Sequence, residues 1–220
     1  MNEKEFFERQ GRIQREITVE RYRQLNKSTI KGQILFAGSS LAEQFPMNEM
    51  LLRRDMPYQV YNRGVSGDTM EGLTKDIQTL VLDLAPSKLF INIGSNDIGG
   101  VVYDENGLYN NYCILLETIA KALPACKFHV LSYYPVNPSK ASFLDAMAKK
   151  FLFANRTNEN VDRMNQLLEA YCQDHHITYI NVHDILLDSE GNLDEVLTVE
   201  GIHLWPAAYE RILEVLLPFF

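Results

Sequence analysis

The feature that most constrains this chain is an alternation of short apolar runs with longer segments of helical spacing. The apolar runs are "QILFAG" (33–38), "YQVYNRG" (58–64), "SKLFINIG" (87–94), "KFHVLSYY" (127–134) and "TYINV" (178–182). Such runs suit parallel strands buried on both faces. Between and after them, "TMEGLTKDIQTLVLDL" (69–84), "LYNNYCILLETIAKAL" (108–123), "TNENVDRMNQLLEAYCQDH" (157–175) and "PAAYERILEVLLPF" (206–219) carry apolar residues at helical intervals. Strand, helix and strand in turn imply right-handed crossovers. The pattern therefore predicts an α/β fold, a doubly wound sheet of five parallel strands.

The 220 residues suffice for one substantial core. No Gly/Ser-rich or Pro-rich linker and no repeat divides them, so residues 1–220 read as a single domain. Residues 1–27 form a helical extension expected to pack on it, with Phe6, Phe7, Ile13 and Ile17 as the apolar side. In "KASFLDAMAKKFLFA" (140–154), Phe143, Leu144, Met147 and Phe151 share one helical face. That segment could pack on the core, meet a partner subunit in a homodimer, or cover the site as a lid.

A formal net charge of −8, with no basic cluster, argues against nucleic acid and anionic membranes and leaves a small neutral or cationic partner as the easier one. The N-terminal "MNEKEFFERQGRIQREI" has no signal-like apolar run, and no segment has the roughly 20 apolar residues of a membrane span. A cytoplasmic enzyme without stable membrane insertion is the expectation. Cys113, Cys126 and Cys172 are too few and too widely spaced for a disulfide framework or a zinc site.

Doubly wound sheets carry their sites beyond the carboxyl ends of the strands. The loops there begin with Gly38-Ser39-Ser40, Arg63-Gly64-Val65-Ser66-Gly67-Asp68, Gly94-Ser95-Asn96-Asp97, Tyr133-Tyr134-Pro135 and His183-Asp184. Ser40 could be a helix cap or a nucleophile, and a nucleophile needs a base and an orienting group. Of the five histidines, His129 lies within a strand, and His175 and His176 end a helix. His183 beside Asp184 competes with His203 in "TVEGIHLWP" (198–206). In that stretch Glu200, three residues upstream, can fold back onto the imidazole and leave Nε2 for Ser40. Taken alone, the turn reads equally as a cap before the helix that Pro206 opens. The Ser40 and Gly67 amides and the Asn96 carboxamide could serve as oxyanion donors, and Asn96 alternatively as a turn residue. A metal site on His175, His176, His183 and Asp184 has poor spacing, because adjacent helical histidines diverge.

Four blocks in order, "ILFAGSS", "NRGVSGDT", "IGSND" and "EGIHL", resemble the SGNH (GDSL-type) hydrolase family over residues 34–204. The resemblance implies a three-layer α/β/α sandwich of flavodoxin-like type and a serine esterase, lipase or acylhydrolase without metal or cofactor. It also implies Ser40 as nucleophile, His203 as base, and Ser40, Gly67 and Asn96 as the oxyanion hole. Through "NRGVSGDT" and "LSYYPVN" the chain is similar to bacterial platelet-activating-factor acetylhydrolase-like and lysophospholipase-like esterases. It departs from the family at Ser39 and Glu200, where aspartate is usual. Ser39 is expected to cap the helix or bond a neighbouring loop. Glu200, one methylene longer, must fold back differently to orient His203.

The expected reaction is cleavage of a small-molecule acyl ester, acetyl being the economical choice. A long-chain lysophospholipase or thioesterase with 140–154 as apolar cover is the alternative. So, from another class, is a non-catalytic module whose loops cradle an anion. Tyr133, Tyr134, Pro135, Asn137, Arg156 and Trp205 are candidates for the substrate pocket, each with a purely structural reading beside it.

Overall fold

The computed structural model describes residues 3–100 and 102–220. Helix α1 (Glu3–Leu25) leads to β1 (Ile34–Gly38), the short helices α2 (Ser40–Glu43) and α3 (Met47–Arg53), and β2 (Val60–Gly64). Helices α4 (Met70–Lys75) and α5 (Ile77–Leu80) precede β3 (Lys88–Asn92), and α6 (Ser95–Gly99) and α7 (Glu105–Ala122) precede β4 (Lys127–Leu131). After α8 (Ala146–Phe153) and α9 (Asn158–Asp174) come β5 (Thr178–Ile180) and α10 (Pro206–Leu216).

The strands pair in parallel in the order β2-β1-β3-β4-β5. This is the flavodoxin-type order, and it reverses between β1 and β3. The chain leaves β1 to build β2 on one side and returns to build β3 on the other. The loops after β1 and β3 therefore part and leave a crevice at the strands' carboxyl ends.

Side chains alternate across the sheet and fill two cores. Leu35, Ala37, Leu89 and Ile91 face one layer with Leu73, Tyr112, Leu116 and Met164. Ile34, Phe36 and Phe90 face the other with Leu41, Met50, Tyr209 and Ile212. Burial on both faces is why these strands are apolar throughout rather than at every second position. Cys126 and Cys172 are buried and Cys113 half-buried, all as free thiols.

Three expectations differ from the structure. The segment 69–84 is not one helix: it breaks at Asp76, whose carboxylate accepts from Arg15 Nη1 at 2.7 Å, and ends in a 3-10 turn at Leu82–Leu84. On α1, Ile13, Ile17 and Phe6 are exposed, while Thr18 and Val19 are buried. The helix is held by polar bonds: Arg15 to Asp68, Asp76 and the Gly72 carbonyl, and Tyr22 Oη to the Gly64 carbonyl at 2.7 Å. The Phe7 side chain lies outside the described residues. In 140–154 only α8 is helical. Phe143 and Met147 are 67% and 81% exposed, so they do not pack on the core, and the Phe151 side chain is also outside the described residues.

Candidate active site

Strand β1 is buried to its last residue and ends at Gly38, after which Ser39 adopts extended backbone at the N-cap of α2. Its side chain makes no capping hydrogen bond, so the expected capping role does not appear. Ser40, the first helical residue, lies at the crevice. Its Oγ is 2.9 Å from His203 Nε2.

His203 comes from a hairpin-like turn before α10. An isolated bridge pairs Thr198 with Leu204, and the Val199 N–H donates to the His203 carbonyl at 2.8 Å. Thr198 Oγ1 accepts from Gly201 N–H at 2.8 Å and donates to the His203 carbonyl at 2.9 Å. Gly201 sits at φ +95°, and a Cβ there would lie 2.1 Å from the Asn137 carbonyl oxygen, so the turn requires glycine. The turn folds Glu200 back: Oε1 accepts from His203 Nδ1 and, at 3.1 Å, from the His203 backbone N–H. One oxygen thus accommodates the extra methylene by spanning ring and backbone. Burial opposes ionisation of Glu200, yet the bonds from His203 hold its carboxyl below the ordinary range.

On the other side of Ser40, Asp68 N–H donates to the Val65 carbonyl at 3.0 Å and closes a β-turn with Gly67 at φ +75°. Since Ser66 is not left-handed, this is a type II turn. Flipping its central peptide would reverse the direction of the Gly67 N–H. Glu43 of α2 anchors the residue before that peptide by accepting from both Ser66 N–H, at 2.7 Å, and Ser66 Oγ. Among the described residues no hydrogen bond takes up the Gly67 N–H, and open space adjoins its Cα.

Asn96 follows β3 on α6. Its Nδ2 donates to the Asp68 carbonyl at 2.8 Å, which ties the two loops together. Its Oδ1 accepts from Arg156 Nη2 at 2.9 Å. Next to it, the Asp97 carboxylate accepts from Met70 N–H at the start of α4 at 3.0 Å, and burial pushes that carboxyl up to about 6.

The remaining candidates fall elsewhere. Tyr133 and Tyr134 are 2% and 6% exposed and belong to the two cores, and Pro135 is buried beside them. Asn137 buttresses the turn that carries His203: its N–H donates to the Gly201 carbonyl at 2.9 Å and its Nδ2 to the Leu193 carbonyl at 2.9 Å. Arg156 is buried behind Asn96. Trp205 alone of the six is exposed, next to the turn that carries His203.

His183 sits between Asp162 and Asp184, at 3.3 and 3.2 Å. His175 stacks on Tyr171, and His129 on Phe90. Among the described residues, no group of three or more His, Cys, Asp or Glu is placed to hold a metal ion. The supporting residues Arg15, Glu43 and Thr198 were not singled out by sequence. Their signal is a contact across the fold, and nothing local to them announces it.

A model of the GDSL-like lipase/acylhydrolase family matches residues 36–211. The chain belongs to that family. This acylhydrolase is similar over nearly its full length to a protein from Streptococcus pneumonia provisionally named for platelet activating factor. The identity there is 27%, with 98% of this chain and 96% of that one covered and a TM-score of 0.86. A GDSL-like lipase from Bacteroides thetaiotaomicron shares the fold at 19% identity, 91% and 96% coverage and TM-score 0.75. An acetyl xylan esterase shares it at 14% identity, 85% and 98% coverage and TM-score 0.68. No curated protein matches this acylhydrolase by sequence. As a family member it is a hydrolase, and α1 lies outside the matched region.

Proposed function

We propose that this acylhydrolase is a serine esterase that cleaves a short acyl group, acetyl in the first instance, from an alcohol. The observation that carries this reading is the chain of contacts from Ser40 Oγ to His203 Nε2 at 2.9 Å and from His203 Nδ1 to Glu200. His203 takes the Ser40 proton as Oγ attacks the ester carbonyl, and Glu200 holds the imidazole with Nε2 toward serine. The tetrahedral oxyanion is held by the Ser40 and Gly67 N–H groups and by Asn96 Nδ2. Collapse expels the alcohol, which leaves with the proton from His203. Water activated by the same histidine then hydrolyses the acyl-enzyme.

The short acyl group is supported by the burial of Tyr133 and Tyr134, which offer a long acyl chain no exposed apolar wall after β4. The exposed Phe143 and Met147 favour the second reading, a long-chain ester or thioester met at an apolar rim. A chain-length series of p-nitrophenyl esters separates the two: a steep decline beyond butyrate is expected for the first, and a rise toward laurate for the second. Ser40→Ala should abolish turnover and labelling by a fluorophosphonate probe. Full esterase activity in that variant would end the serine-esterase reading, and a wild-type chain that stays unlabelled would favour a binding module.

A further inference from the structure

Arg156 is 4% exposed, and among the described residues its guanidinium meets only neutral acceptors by hydrogen bond: the Ser95 carbonyl from Nε at 3.0 Å and Nη2 at 2.8 Å, and Asn96 Oδ1 from Nη2 at 2.9 Å. The fit is close, since a Cβ on Gly99 would stand 2.5 Å from Nη2. Among the described residues no carboxylate lies within ion-pair distance of it, and Glu200 acts on it only at longer range. Burial lowers the guanidinium to about 10, opposed by the charge of Glu200, so it remains a cation at neutral pH. A buried cation without an adjacent anion is costly. Its placement calls for a use.

A carboxamide can present either end, and its neighbours decide which. A guanidinium only donates and a peptide carbonyl only accepts. Arg156 therefore selects Oδ1 on its side, the Asp68 carbonyl selects Nδ2 on the other, and one Nδ2 hydrogen is left over. Donation to Oδ1 also withdraws electron density from the amide and sharpens Nδ2–H as a donor. A positive charge behind the amide gains most when negative charge appears in front of it, which happens in the tetrahedral intermediate and not in the neutral ester.

We propose that Arg156 is a positioning residue for the oxyanion: it fixes the Asn96 carboxamide with its N–H toward the crevice and polarises it for the developing negative charge. This deepens the serine-esterase reading and rests on Asn96 as an oxyanion donor.

The test is a double-mutant cycle on ester hydrolysis. Asn96→Ala should lower kcat by about 100- to 1,000-fold, as loss of one oxyanion donor does. Arg156→Met, acting through that donor, should lower kcat by about 10- to 100-fold with KM nearly unchanged. It should weaken inhibition by a trifluoromethyl ketone in parallel with kcat/KM. In the Asn96→Ala background, Arg156→Met should cost almost nothing more. An undiminished cost there, or a loss carried by KM alone, overturns the inference. If Asn96→Ala is itself near wild type, the oxyanion reading fails first, and that outcome is distinct. Should Arg156→Met not fold, Arg156→Lys and Arg156→Gln serve. The charged lysine should keep more kcat than the neutral glutamine, and the reverse order overturns the inference as well.

Discussion

Single side chains at this site answer to several partners at once, and Asp97 shows the consequence. Its carboxylate accepts the first N–H of α4, a favourable place for negative charge, yet burial dominates and pushes the group up to about 6. A carboxyl whose pKa rises on folding favours the folded state while protonated. That contribution is full below about pH 4, the unfolded value, and is lost as pH rises through about 6. Asp97→Asn keeps an oxygen for Met70 N–H and removes the titration. Its melting temperature should match the parent's near pH 4 and exceed it at pH 7, as measured by thermal melts at both. A gap that does not widen with pH would count against the assigned cause. Ser40, His203, Gly67 and Asn96 were legible in the sequence because each sits where an apolar strand or helix pattern gives way to Gly and short polar residues. Which histidine meets Ser40 was less so: His183 and His203 both follow strands or turns beside a carboxylate. Only the folded turn shows that His183 faces Asp162 and Asp184 while His203 faces Ser40.

At the level of elements, the strands and the long helices α7, α9 and α10 follow the hydrophobic periodicity closely, because packing on a sheet is what that periodicity encodes. Helix α1 does not. Its apolar residues suggested the wrong face: Val19 and Tyr22 reach the core, and beside them Arg15 bonds Asp68 Oδ1 at 2.7 Å, Asp76 at 2.7 Å and the Gly72 carbonyl at 2.5 Å. Asp68 is buried, and its burial pushes the carboxyl up even with Arg15 beside it, so this carboxylate depends on the arginine. The element thereby splints the segment that carries Gly67, although it lies outside the region the family model matches. Removing one partner of a buried pair strands the other. Arg15→Ala should cost on the order of 3 kcal/mol, the low end for such pairs because Arg15 is partly solvated. Adding Asp68→Asn should restore part of it. Urea unfolding of the single and double variants measures both. A neutral Arg15→Ala would mean that α1 merely lies on the body, and a double variant no better than the single would mean the loss comes from packing.

The whole molecule places this site at the reversal of its sheet order, where loops after β1 and β3 diverge, in a chain of formal net charge −8. The sequence alone made the charge and the crevice visible, but not which charges face inward. In the fold, Arg15 and Arg156 turn inward, onto Asp68 and Asn96. No helix among the described residues is long and apolar enough to cross a membrane. A charged molecule approaching the crevice meets the field of a chain of formal net charge −8. Steering by such a field is screened over a Debye length, about 10 Å at 0.1 M salt. For an ester with a cationic alcohol, kcat/KM should fall as ionic strength rises from about 0.01 to 0.5 M. For a neutral ester of the same acyl group it should stay flat, and for an anionic one it should rise. Stopped-flow or steady-state rates across that salt series measure the three slopes. Equal slopes for all three would show that the site's local dipoles, rather than the net charge, set the approach.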